Sequence, residues 1–145
     1  MERVGPITFL MIKHHEKINK ILLDFEKVSD RDFSELKRTF EKFRKKVDLH
    51  FFIEERNIFP VSDSKNEREI LRLKNLVKDH RDLRNVVREM ENEISEARKP
   101  KTNILRELLY AHEEREVDGF YPLLDERLPE NAKKNIVREI NENKF

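Results

Sequence analysis

Two segments carry the reading of this chain: HFFIEERNIFP, from His50 to Pro60, and HEEREVDGFYP, from His112 to Pro122. They match position for position. In each, a Glu follows the His by four residues (Glu54, Glu116), an apolar residue by eight (Ile58, Phe120), an aromatic by nine (Phe59, Tyr121) and a Pro by ten. Residues four apart share one face of an α-helix, about one turn apart. Each pair therefore presents a nitrogen and a carboxylate to a common point, which is metal-ligand spacing.

The stretches preceding the pair repeat as well. Met11, Ile12, Lys13, His15, Ile18, Ile21 and Leu22 correspond to Leu76, Val77, Lys78, His80, Leu83, Val86 and Val87. The unit is a His helix followed by a His-x-x-x-Glu helix, used twice. The polar residues continue apolar stripes: Met11, His15, Ile18, Leu22; Val47, His50, Glu54, Ile58; Val77, His80, Leu83, Val87; and Leu109, His112, Glu116, Phe120. Six polar groups are thus expected inside the core. Left unpaired there, each would cost several kcal/mol, a large part of the ~5–15 kcal/mol stability of a domain. A bound cation satisfies them together.

Outward from these segments, the five prolines (Pro6, Pro60, Pro100, Pro122, Pro129) cut the chain into long periodic pieces. The first helix is expected from about Thr8 to Val28, and a second, capped by Ser29 or Asp30, reaches Phe59 with Leu36, Phe40, Phe43 and Val47 inward. A capping box, Ser64 with Glu67, opens a third to about Arg98, with Ile70, Leu73, Val77, Leu83, Val87, Met90 and Ile94 inward. The fourth runs from Thr102 or Asn103, carrying Leu105, Leu108 and Leu109, to near Tyr121; Pro129 takes the first position of a shorter fifth. Short connections between amphipathic helices favour antiparallel neighbours. The expected architecture is all-α, an up-down-up-down antiparallel four-helix bundle over about residues 8–122, with a short C-terminal helix at about 129–145, in one domain spanning 1–145. Counting residues from each turn leaves the His15 and His50 levels offset by roughly 9 Å at 1.5 Å per residue. For His80 and His112 the third helix must overhang or its loop must fold back.

The composition agrees and excludes much else. Charged residues make up 42% of the 145, with two glycines, and Lys plus Arg (31) nearly balance Asp plus Glu (30). A sheet fold lacks its turns and strands, and no net field marks a nucleic-acid or anionic-membrane binder. Without a cysteine, thiolate metal sites, iron–sulfur clusters and disulfides are all excluded, so any metal sits on N and O ligands. No stretch approaches the ~20 apolar residues of a membrane span or carries a signal-peptide core, so the expected location is the cytoplasm.

The expected ligand set is His15, His50, Glu54, His80, His112 and Glu116. His14 lies about 100° around the helix from His15 and reads as a surface or supporting residue. The adjacent acids Glu55, Glu113 and Glu114 read as a solvated face. Four imidazoles and two carboxylates suit iron, manganese or zinc. Two ions bridged by both carboxylates, with two histidines each, leave room for an oxo, hydroxo or water bridge and an open position. That favours a non-haem di-iron centre.

With these motifs the chain resembles the hemerythrin-like, or HHE cation-binding, family, four-helix bundles holding a non-haem di-iron site. The likeness runs from about Thr8 to Leu128 and rests on His15, His50 with Glu54, His80, and His112 with Glu116. Oxygen-carrying hemerythrins have a second histidine four residues along the third helix, where Leu76 and Arg84 flank His80. They also bridge with an Asp five residues after the fourth-helix histidine, at Val117 here, where Glu116 takes the role one residue earlier. The resemblance thus implies the broader microbial branch, implicated in oxygen or iron sensing, iron handling, and nitric-oxide or peroxide responses. It implies a small diatomic ligand or peroxide as partner. It admits three functional classes: a sensor or scavenger; an enzyme reducing nitric oxide or peroxide, or a factor delivering iron for repair; and an interaction module stapled by its metal. The amphipathic last segment, with Ile136, Val137 and Ile140, reads as a homodimer contact or a lid on the bundle.

Overall fold

The computed structural model describes residues 4–145, and among them the secondary structure is helical throughout, with no strand. Helix α1 spans Pro6–Glu26, α2 Phe33–Ile53, α3 Glu67–Ser95, α4 Asn103–Arg115, α5 Tyr121–Arg127 and α6 Glu130–Asn141. Among the described residues no helix is long and apolar enough to cross a membrane. Around the bundle α1 packs on α2, α2 on α3 and α3 on α4, while α5 and α6 pack back on α1.

The core is in two pieces. One gathers Ile18, Leu22, Phe25, Leu36, Phe40, Phe43, Val47, Phe51, Leu83, Val87, Leu105 and Leu109. The other gathers Ile7, Met11, Ile53, Ile58, Leu76, Phe120, Tyr121, Leu124, Ile136 and Ile140. Each long helix passes from one cluster to the other, and between them lie the predicted histidines and glutamates. Ile136 and Ile140 are buried within the chain, so α6 is a lid on the second cluster.

Several boundaries move. The cap of α2 is Asp32, whose carboxylate accepts the Glu35 amide at 3.1 Å, while Ser29 only tightens the preceding turn. Asn66 caps α3 in place of Ser64, accepting the amides of Arg68 and Glu69. Pro129 stands one position before α6, as its cap. The α1 start has no local side-chain cap; Asp125 from α5 accepts the amides of Ile7 (3.1 Å) and Thr8 (2.9 Å) and the Thr8 hydroxyl (2.7 Å). That approach is close enough that a Cβ on Gly5 would stand 2.2 Å from the Asp125 carboxyl carbon. On α3 the inward residue is Leu76, fully buried, whereas Val77 is 52% exposed. The face through His80 and Leu83 continues back by four residues there, not three.

The largest departure is that neither His-x-x-x-Glu helix is uniform. Glu54–Ile58 and Glu116–Phe120 each form a π-helical turn, in which the amide of Phe59 or Tyr121 returns five residues to the carbonyl of Glu54 or Glu116. Pro60 and Pro122 explain it. Proline has no amide to return and its ring collides with the carbonyl four residues back, and a widened turn just ahead relieves both. The fourth segment therefore does not stop at Tyr121 but resumes as α5 to Arg127. Glu54 and Glu116 each begin such a turn, a common location for functional residues.

Helix α3 ends at Ser95 rather than Arg98, and the chain folds back to meet α4. The Arg98 amide bonds the Glu93 carbonyl, the Ala97 amide bonds that of Ile94, and Ala97 sits at φ 60°. Lys99 then donates to the carbonyls of Glu26 (2.9 Å) and Val28 (2.6 Å), capping the end of α1. Left-handed backbone costs an L-residue about 1 kcal/mol and glycine little. Ala97→Gly is expected to stabilise the protein by about that amount, raising Tm by roughly 2–4 °C; an unchanged or lower Tm in thermal melts would contradict it.

Candidate metal centre

All four predicted histidines turn the same edge inward. Nε2 of His15 lies 3.0 Å from Glu116 Oε1, Nε2 of His50 lies 3.0 Å from Glu54 Oε1, and Nε2 of His80 lies 3.2 Å from that same oxygen. Nε2 of His112 stands between the carboxylates, 3.5 Å from Glu54 Oε1 and 3.4 Å from Glu116 Oε1. Donor atoms of His50, Glu54, His112 and Glu116 all fall within 4.8 Å of one another, and His15 and His80 flank them. Glu54, His112 and Glu116 are fully buried.

Hydrogen bonding leaves this cluster incomplete. His50 Nε2, His112 Nε2 and Glu116 Oε2 are buried without a partner, because the short contacts of His50 and His112 are misaligned for hydrogen bonds. His112 and His80 already donate Nδ1–H, to Asp79 (3.0 Å) and Glu55 (3.0 Å). In the neutral ring that leaves a lone pair at Nε2, facing carboxylate oxygens that also offer lone pairs. A cation among them removes the repulsion and satisfies these three inward atoms, so the residues fit a metal on N and O donors.

The surroundings bias the charges accordingly. Burial by itself would raise the Glu54 pKa, but the nearby imidazoles of His50, His112 and His80 outweigh it and hold the carboxyl well below its usual range. Burial also opposes the charged form of His112, yet Asp79 and Glu54 override it and raise its pKa. For His15 burial prevails, reinforced by His50, and pushes the pKa down to about 3; His14 is lowered to about 3 by burial and the nearby His50 and His15.

These shifts set a pH dependence for the chelator-treated protein. Unfolded, His14 and His15 bind protons near pH 6.5, whereas folded they refuse them until about 3. Over that window the unfolded state binds more protons, so stability falls as pH falls. The depressed Glu54 adds a loss at the acid end, and the raised His112 opposes the trend near neutrality. His14→Phe, which keeps a ring against Phe145, is expected to flatten the decline of Tm between pH 6.5 and 4.5. Parallel pH profiles for the two proteins would refute it.

Four residues near the site escape the sequence reading. Asp79 is buried and gripped by Arg115 at 2.9 and 3.1 Å while it accepts from His112. The Tyr121 hydroxyl donates to Glu54 Oε2 at 2.6 Å, leaving that oxygen a second lone pair. Glu113, expected on a solvated face, is buried against α1, where it accepts from Asn19. Glu55 is half-exposed but holds His80, with Arg84 paired to it; Glu114 alone of the three acids is simply exposed. The aromatic of the repeat was a signal for Tyr121, but nothing local singles out Asp79. His14 is buried outside the donor cluster, its ring stacked on Phe145 at 3.9 Å.

Compared with known families, the chain matches the model of the hemerythrin HHE cation binding domain over residues 7–132. The chain belongs to the hemerythrin HHE family. No curated protein and no solved structure gives a significant match. The matched span takes in all four histidines of the buried cluster and the opening of α6. Cation binding, expected of an HHE domain, coincides here with the only cluster of such donors found among the described residues.

Proposed function

We propose that this HHE protein holds two non-haem iron ions and offers an exchangeable position to oxygen, nitric oxide or peroxide. The observation that carries it is the convergence of six buried donors, three atoms of them orphaned, in a polar layer between two apolar clusters. His15 and His50 serve one ion, His80 and His112 the other, with Glu54 and Glu116 shared. Each ion then has four protein donors, fewer than iron accepts, which leaves positions open. Each long helix crosses between the clusters in the sense opposite to its predecessor, which supports an up-down-up-down bundle. Iron supplies the redox and ligand-binding chemistry.

The chain's own residues do the rest. Asp79 and Glu55 fix the tautomers of His112 and His80, so that Nε2 is free to bind. Tyr121 steadies Glu54. The ring of Phe51, stacked on His80 at 3.9 Å, and Phe59, 5.2 Å from it, exclude water from that side.

Metal analysis of protein purified without added metal tests the reading, followed by absorption spectra of the reduced form with and without oxygen or nitric oxide. Close to two irons per chain and a spectral change on adding either gas are expected. A spectroscopically silent zinc protein, or one ion with half the donors turned away, would overturn it.

A further inference from the structure

The two halves of the repeat agree in their donors and differ in what stands behind them. In the half built from α3 and α4, both imidazoles are backed by a carboxylate that an arginine in turn holds: His112 by Asp79 with Arg115, His80 by Glu55 with Arg84. In the half built from α1 and α2, neither is. His50 Nδ1 is buried without a partner. The residue aligned with Asp79 is His14, whose own Nδ1 is unpartnered and whose ring lies 6.1 Å from that of His50. His15 Nδ1 is 3.9 Å from Glu113, beyond hydrogen-bond reach. The positions aligned with Glu55 and Arg84 are Val117 and Asn19, and Asn19 engages Glu113 from the other side.

A carboxylate that accepts Nδ1–H makes Nε2 more basic and holds the ring in place, and losing one such partner typically weakens metal binding ~10–100-fold. Two on one side and none on the other make the halves unequal. We infer that the two cation positions differ in affinity: the one between His80 and His112 fills first and holds its ion, while the one between His15 and His50 fills second and exchanges it. Asp79 and Glu55 are the positioning residues behind the difference. The inference rests on the two-ion reading.

Zinc is the probe, because it is redox-silent and reads affinity alone. Zinc-loaded protein is mixed with an excess of the chromogenic chelator 4-(2-pyridylazo)resorcinol and release is followed by absorbance. Two zinc ions per chain are expected, leaving in two phases of equal amplitude. Asp79→Asn should accelerate the slow phase about 10–100-fold and leave the fast phase in place. Glu55→Gln, at a half-exposed site that folding tolerates, should act in the same direction. His14→Asp, which gives the weak half the carboxylate of the strong one, should slow the fast phase, a gain no loss of structure produces. Circular dichroism confirms that the variants are helical. Release of a single zinc per chain would overturn the two-ion reading and the inference with it. Two ions leaving at one common rate, or a fast phase untouched by His14→Asp with a slow phase untouched by Glu55→Gln, would overturn the inference alone.

Discussion

Glu54→Ala is expected to strip the protein of one or both ions, and Glu116→Ala to do the same. Each carboxylate is fully buried, each touches at least two of the four imidazoles, and the proposed arrangement shares each between both ions. Glu114→Ala, on the exposed side of the same helix as Glu116, should leave the metal content at its wild-type value. Glu55→Ala and Glu113→Ala do not serve as inert controls, since Glu55 holds His80 and Glu113 is buried beside α1. Elemental analysis of the purified variants decides it. Full metal content in both Glu54→Ala and Glu116→Ala would mean that the buried cluster is not the metal site.

Removing the metal should lower Tm by about 10 °C. An ion present at a thousandfold excess over its Kd stabilises the folded state by ~4 kcal/mol, and in a domain of this size ~1 kcal/mol moves Tm by ~2–4 °C. Without the ion, His50 Nε2, His112 Nε2 and Glu116 Oε2 remain buried and unsatisfied. Differential scanning calorimetry of loaded and chelator-treated protein gives the comparison, and coincident transitions would show that the polar layer is satisfied by protein groups alone.

The helices and the six converging side chains were legible because both are periodic: a stripe repeating at the helical spacing, and a His four residues before a Glu, reveal themselves without knowledge of neighbours. The supporting residues lacked that property. Asp79 meets His112 across a sequence distance of 33 residues, and Tyr121 meets Glu54 across 67. Glu113 looks like any acid on a charged helix until Asn19 of α1 is placed beside it. Caps failed for a different reason. Ser29, Asp30 and Asp32 all have cap chemistry, as do Ser64 and Asn66, and only the course of the incoming chain chooses among them. The fold-back after α3 was foreshadowed by a mismatch in residue counts, and Lys99 bonding the end of α1 shows how the returning loop is fastened.

The wide turns at Glu54 and Glu116 have a consequence for chain length. A π turn is a helix carrying one residue more than its axis requires. Deleting a residue between Glu54 and Phe59, or between Glu116 and Tyr121, would close the turn to the ordinary helical pitch and rotate the residues beyond it only a little, because five residues of π turn and four of α-helix each sweep about one revolution. Phe59 would still face His80, and Tyr121 Glu54, but the ring of Pro60 or Pro122 would again meet the carbonyl four residues back. The extra residue in each half thus accommodates the proline that follows it, and a point deletion there strains the backbone before it moves the wall around the site.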